Sequence, residues 1–318
     1  MSDTFPIAPG ITAIDTVMVG KRLVTSAYLV EGTEPALVET GPATSADVVL
    51  AGLGSLGMGT EDLAHIVVTH IHLDHAGGVG TLAEWFPRAA IWVHERGAPH
   101  LADPSRLVAS TARLLGPERL RAMFGDVVPV PDDRIRSVED GDQIDLGGRV
   151  LDVLYTPGHA SHHVAFVESE TGAVFTGDAL GVHIPDVGVL RPATPPPDFD
   201  LQLSLESIER IRVRARSALL LSHFGPLAEI DDTCDLAGER IRAWSDVVRD
   251  ALRTTEDVDE ITALLEQQGS QEYEADSGAP LDMDRYDVMS SVRMNAIGLI
   301  RYWKKHEERE RAGAPQPS

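Results

Sequence analysis

Apolar residues follow two patterns along the chain. Up to about residue 225 they come in short runs closed by glycine or proline, the signature of buried strands. Residues 11–19, 23–31 and 35–39 predict three consecutive strands, and Thr44 or Ser45 caps a helix running to about Leu56. Residues 65–69 read as a buried strand, a helix follows Gly77 and Gly78 through Trp85, and 89–94 is another strand. Residues 96–126 change character. Arg106, Arg113, Arg119 and Arg121 alternate with Leu and Ala at helical spacing, with breaks at Pro104 and Gly116. This predicts a helical insertion, placed either as one wall of a cleft or as a surface helix pair. Strands return at 150–155, 164–168 and 173–176. Five prolines in 183–199 exclude a continuous helix or central strand, and a helix at 200–214 leads to a last strand at 218–222.

Beyond about Asp231 the period becomes helical. Residues 233–252 and 258–268 predict two helices, 269–284 an acidic linker, and Val288, Val292, Ala296, Leu299 and Trp303 one face of a third helix, weakened by Gly298. The composition of 311–318 predicts disorder.

The chemistry concentrates in THIHLDHAGG, residues 69–78, where a strand turns into a helix. Residues two apart on extended backbone point the same way, so His70 and His72 reach one point together, while Asp74 and His75 on the turn can face a second. Burying such a cluster without a cation would leave several polar groups to satisfy, and imidazole with carboxylate suits zinc, iron or manganese. His159, Asp178 and His223 also lie just past predicted strand ends, and strand ends on one sheet edge converge. Seven candidates, five His and two Asp, suit two metals sharing a carboxylate.

Hydrophobic residues make up 43% of the chain, enough for a sizeable core. The single cysteine, Cys234, rules out an intramolecular disulfide and turns attention away from thiolate ligation. Residues 1–10 lack a basic region followed by an apolar run, no segment has the length of a bilayer span, and the expected location is the cytoplasm. The net charge of −23 argues against nucleic acid as a partner, and no Lys/Arg cluster stands out along the chain. Solubility accounts for the acidity itself.

With these motifs in order from Ile11 to Gly225, the chain resembles the metallo-β-lactamase-fold hydrolases. The resemblance implies an α/β (α+β) fold, a four-layer αββα sandwich with the metals at one edge and a C-terminal helical extension. It implies a catalytic domain at 1–230 carrying the insertion at about 96–126, an extension at 231–310 and a tail at 311–318. Carried over, His70, His72 and His159 would hold one metal, Asp74, His75 and His223 the second, and Asp178 would bridge them. Glu39 stands where the family usually has Asp and would orient a ligand histidine. Aspartate at 178 is similar to the glyoxalase II-like, lactonase and tRNA-processing branches rather than to true β-lactamases. The acidic charge disfavours the tRNA branch, and the acidic tail has no clear counterpart of glyoxalase II's basic glutathione contacts.

The resulting expectation is a hydrolase with two divalent metals, zinc first and iron or manganese as alternatives. A metal-bridging hydroxide would cleave a small carboxylic ester, thioester or lactone, with Asp74 and Asp178 as catalytic carboxylates. The alternatives are a mononuclear iron persulfide dioxygenase, a phosphodiesterase of the same fold, and a metal-binding protein that no longer catalyses. The expected partner is a small-molecule substrate, with no nucleic acid and no membrane; a homo-oligomer is left open. Among the other histidines, His65 reads as structural. His162 and His163 read as strand-surface residues, with orientation of a ligand as the alternative, and His94 and His183 border segments that can face the cleft. Tyr155 is read as a packing residue. Arg191 is read either as a carboxylate clamp or as a surface residue.

Overall fold

The computed structural model describes residues 3–185, 189–277 and 291–312. β1 (Thr4–Ala8), β2 (Ile11–Asp15), β3 (Ser26–Val30), β4 (Ala36–Val38), β5 (His65–Val67), β6 (Ala90–His94) and β7 (Ile135–Val138) form one sheet in chain order. The first four are antiparallel and the pairs from β4 to β7 are parallel. The connections carry α1 (Ala46–Ser55), α2 (Leu73–Ala76) and α3 (Val79–Trp85), then α4 (Ala98–Ala102), α5 (Ser105–Leu115) and α6 (Pro117–Phe124). The second sheet is built from β8 (Gln143–Asp145), β9 (Val150–Tyr155), β10 (Val164–Glu168), β11 (Val174–Gly177) and β14 (Leu219–Leu221), in the order β14-β11-β10-β9-β8. A separate hairpin, β12 (Val182–Ile184) with β13 (Val189–Arg191), precedes α7 (Leu201–Arg214). The helical part contains α8 (Ile230–Ala251), α9 (Val258–Ser277) and α10 (Val292–Ala312).

Side-chain alternation explains the layering. On β3, Tyr28 and Val30 face the second sheet, while Ala27 and Leu29 pack with α1 and α3. On β10, Val164 and Phe166 face the first sheet, while Ala165 and Val167 pack with α7 and α8. Strands buried on both faces read as continuous apolar runs, as these do. Three apolar layers separate four structural ones, and the fold is the αββα sandwich.

The differences from the sequence reading have local causes. The strand expected over 11–19 stops at Asp15, whose carboxylate accepts from the Val17 and Leu23 N–H groups at 3.0 Å each and turns the chain. β1 was not anticipated; it is an edge strand containing Pro6, with a register shift before Ala8. The insertion is helical, broken near Pro104 and Gly116 as expected. Helix α9 continues through 269–277, where an acidic linker was expected, because its acids have partners on α8. Arg240 bonds Glu272 at 3.0 Å and Asp276 at 2.7 Å, and Trp244 Nε1–H donates to Glu272 at 3.1 Å. The rest of that linker, Val288, and the tail beyond Ala312 lie outside the described residues; Arg311 and Ala312 themselves end α10.

Helix α7 begins at Asp200, whose side chain accepts from the Leu203 N–H at 3.1 Å, while its own N–H bonds the Gly158 carbonyl at 2.8 Å. Replacing Asp200 with Ala should therefore cost about 1 kcal/mol of stability, read as a lower urea midpoint with an unchanged slope.

Candidate metal centre

The parallel directions of β4, β5, β9, β11 and β14 bring their C-terminal ends to one edge. All seven candidates lie there. His70 Nε2 is 3.0 Å from His72 Nδ1, which is 2.9 Å from His159 Nε2. Beside this triad, His75 Nε2 lies 3.6 Å from Asp74 Oδ2, and His223 Nε2 lies 3.3 Å from the same oxygen. Asp178 stands between the two sets. Its Oδ1 is 3.3 Å from His75 and 3.7 Å from His223, and its Oδ2 is 3.5 Å from His159.

Neighbours fix the imidazole tautomers. His159 Nδ1–H donates to the Ala193 carbonyl at 3.0 Å and His223 Nδ1–H to the Val24 carbonyl at 3.1 Å, so each Nε2 presents a lone pair. Thr69 Oγ1–H donates to Glu39 Oε1, and Thr69 Oγ1 in turn accepts from His70 Nδ1–H at 3.0 Å, which frees His70 Nε2. Glu39 Oε2 lies 3.7 Å from His75 Nδ1.

Several groups are left with no hydrogen-bond partner although they are buried. Among the described residues these include both His75 nitrogens, Asp178 Oδ1 and Glu39 Oε2. Buried polar atoms converging without partners are what a cation site requires. The groups His70/His72/His159, Asp74/His75/His223 and Glu39/His70/His75 each bring their donor atoms within 4.8 Å of one another, and this donor set is compatible with divalent metal ions. Glu39 combines with a different pair, but its Oε1 is already taken by Thr69 and by Ser222 Oγ at 3.2 Å.

The electrostatics separate the two sets. Burial and the neighbouring imidazoles hold His70 well below its ordinary pKa and bring His72 down to about 3. Burial also dominates at His159 and lowers it. Burial acts in the same sense at His75 and His223, but the Asp178 and Asp74 carboxylates outweigh it and raise both. Conversely, burial pushes the two carboxyls up, and the surrounding imidazoles more than reverse this, so Asp74 and Asp178 lie below the usual carboxylate range.

Three positioning features go beyond the sequence reading, which gave orientation of a ligand by His162 or His163 only as the alternative. His163, read as a strand-surface residue, is fully buried. Its Nε2 accepts from the Asp178 N–H at 3.1 Å and its Nδ1–H donates to Thr156 Oγ1 at 2.8 Å. Gly177, at φ 51°, makes that approach possible, because a Cβ there would collide with His163 Nε2 and Thr69 Oγ1. His162 is also buried and stacks on His70 with ring centroids 6.2 Å apart. The third feature is the hold of α10 on the proline-rich loop. Asn295 accepts from the Thr194 N–H at 2.7 Å and donates to the Pro192 carbonyl at 3.1 Å. Gly298 lies directly against the Thr194 carbonyl, where any Cβ would clash.

The remaining histidines do other work. His65 Nδ1 accepts from Trp92 Nε1–H at 2.9 Å at the entry of β5. His94 stacks on Tyr155, which also donates to the Ser161 carbonyl at 3.0 Å, and His183 Nδ1–H donates to the Phe224 carbonyl at 2.7 Å. Neither His94 nor His183 lines the cavity over the site. Arg191 is neither a surface residue nor a clamp on that cavity; it is 1% exposed, with its guanidinium 5.3 Å from the Trp244 ring centre.

That cavity, of about 220 Å³, has His72, Asp74, His159, Asp178 and His223 among its lining. The insertion supplies part of one wall through Leu107, Met123 and Phe124, and Pro195–Pro197 and Met294 supply others.

Comparison with known proteins identifies the family and the fold. The metallo-beta-lactamase superfamily model matches residues 20–223, and the chain belongs to that superfamily. The chain is 32% identical over 154 residues to a metallo-beta-lactamase fold-containing protein of Sulfurisphaera tokodaii, covering 47% of this chain and 56% of that one. It is 29% identical over 153 residues to a hydroxyacylglutathione hydrolase of a Synechococcus strain, covering 48% of each. The matched stretch thus spans about half the length of these curated relatives. Among solved structures, a metallo-beta-lactamase family protein of Thermus thermophilus superposes with a TM-score of 0.69 at 21% identity, over 95% of both chains. An archaeal superfamily protein from Sulfolobus tokodaii superposes at 0.66 and 22% identity, over 92% of this chain and 99% of that one. No helix among the described residues is long and apolar enough to cross a membrane.

Replacing Asn295 with Ala removes the acceptor for the buried Thr194 N–H and should cost about 1–3 kcal/mol, read by thermal or urea unfolding. Asn295→Asp keeps the acceptor but sets a buried carboxylate against the Pro192 carbonyl, and should be at least as destabilising as Asn295→Ala.

Proposed function

We propose that the protein is a dinuclear metal-dependent hydrolase cleaving a small carboxylic ester, thioester or lactone. The observation that carries this reading is Asp178, whose two oxygens face different histidine sets at 3.3–3.7 Å while one of them has no hydrogen-bond partner. In this reading His70, His72 and His159 would hold one ion, Asp74, His75 and His223 would hold the other, and Asp178 would serve both. Two divalent ions, zinc first, would supply Lewis acidity toward a carbonyl oxygen and a nucleophilic hydroxide near neutral pH.

The chain's own groups do the rest. The Asp74 side chain is 25% exposed and on the cavity wall, so it can accept a hydrogen bond from the attacking water and later pass a proton to the leaving oxygen or sulfur. The Ala193 and Val24 carbonyls keep His159 and His223 in the tautomer that offers Nε2. Leu107, Phe124 and Met294 give the reacting carbonyl an apolar surrounding that strengthens each electrostatic contact. The hydroxyacylglutathione hydrolase among the relatives supports a thioester as one member of the substrate panel.

Proton release in a pH-stat tests the reading, with protein reconstituted in zinc, iron or manganese and a panel of thioesters, lactones and esters. Metal-dependent release is expected, falling at least about a hundredfold in Asp178→Ala. Release from no substrate by protein holding two metals overturns the carbonyl reading, and oxygen consumption by protein holding one iron replaces it with the dioxygenase.

The pKa directions add a second expectation. His75 and His223, raised by the carboxylates, keep their protons to higher pH than His70, His72 and His159 do. A metal has to displace those protons, so occupancy of the His75/His223 set falls first as pH decreases. Metal analysis across a descending pH series should show one ion per chain lost before the other, with the first loss abolished or shifted in His223→Ala.

A further inference from the structure

A groove of about 690 Å³ lies between α5, the proline run and the helices α9 and α10. Its floor is apolar, formed by residues such as Val258, Ile297 and Ile300. Ser110, Leu114, Pro196 and Pro197 belong both to its lining and to that of the metal cavity, so the two spaces adjoin along a shared wall. Among the described residues, four cations line the groove, Arg113, Arg301, Lys304 and Lys305, against one acid, Glu308.

That concentration runs against the rest of the molecule. The chain carries a net charge of −23 and only three lysines, of which two stand here. The cations come from segments nearly two hundred residues apart and gather only on folding. Lys304 bonds Glu256 at 2.7 Å, and Arg301 Nε–H donates to the Pro197 carbonyl at 3.1 Å, which holds that guanidinium against the shared wall. An apolar floor with a cationic margin is complementary to an apolar chain ending in an anion.

Building on the hydrolase reading, we propose that this groove is a substrate subsite for the anionic end of an elongated acyl compound. The scissile carbonyl sits in the metal cavity. The apolar stretch that follows it runs along Leu114, Pro196 and Pro197. A terminal carboxylate or phosphate meets Arg113, Arg301 and Lys305. Specificity thus reads the far end of the substrate rather than its reacting end.

Two measurements on the metal-loaded full chain test this. The first is calorimetric titration with decanoate, decyl phosphate and decanol. Binding of an anion is expected, the tighter of the two naming the terminal group, with affinity falling at least about tenfold in Arg113→Gln/Lys305→Gln. Both side chains are exposed, and an unchanged melting temperature verifies that the variant is folded. Arg301→Gln, made separately, should weaken anion binding in the same sense. Failure of the anions to bind, binding no tighter than that of decanol, or affinity unchanged in both variants overturns the proposal; the last result would place the anions on the metals.

The second measurement compares kcat/KM for a matched thioester pair, one with a free terminal carboxylate and one with its methyl ester. The ratio should favour the free acid by at least about tenfold and approach one in Arg113→Gln/Lys305→Gln. A ratio of one in the wild type overturns the subsite while leaving the hydrolase reading standing. Turnover of neither compound counts against the hydrolase reading, and the titration then decides the groove alone.

Discussion

One buried oxygen ties the site to both sheets. Oε1 of Glu39 receives the Thr69 hydroxyl, the Thr69 N–H at 3.3 Å and the Ser222 hydroxyl at 3.2 Å, so the ends of β4, β5 and β14 meet on a single carboxylate. Glu39 itself adopts a left-handed φ of 67°, which a non-glycine residue takes at a cost and which turns the chain away from the sheet. Thr69 passes the constraint on to His70, and Ser222 precedes His223 directly. A group 1% exposed and outside the cavity lining therefore sets where two histidines of the neighbouring sets begin.

The second constraint is the burial of many ionisable groups at one edge. At His70 desolvation and the neighbouring rings act in the same sense and lower the pKa, whereas at His75 and His223 the Asp74 and Asp178 carboxylates outweigh the same burial and raise it. The same amino acid is tuned in opposite directions a few ångströms apart. The difference comes from the placement of two aspartates, one on the turn after β5 and one after β11.

The strands and the histidine cluster were legible because each depends on local order. Alternation marks a strand without reference to its partners, and a strand followed by glycine places its last polar residue at a sheet edge. What could not be read depends on neighbours remote in sequence. Asp15 stops β2 by accepting two N–H groups, and Arg240 turns an apparent acidic linker into helix by pairing with Glu272 and Asp276. His163 resembled a surface residue because its partners are the backbone of Asp178 and the hydroxyl of Thr156. The cationic groove was invisible for the same reason, since Arg113 belongs to the insertion and Arg301, Lys304 and Lys305 to the last helix.

The grip of α10 on the proline-rich loop couples properties that a modular protein could vary separately. Asn295 holds Pro192 and Thr194 on either side of Ala193, and the Ala193 carbonyl is the acceptor that orients His159. The helix that lines the outer groove is thus two contacts removed from a histidine of the inner site. Exchanging that helix for another chain's would alter not only the lining of the outer groove but also the hold on the loop that orients His159. A substitution on the outer helix of this chain is therefore felt at the inner loop, through one amide side chain.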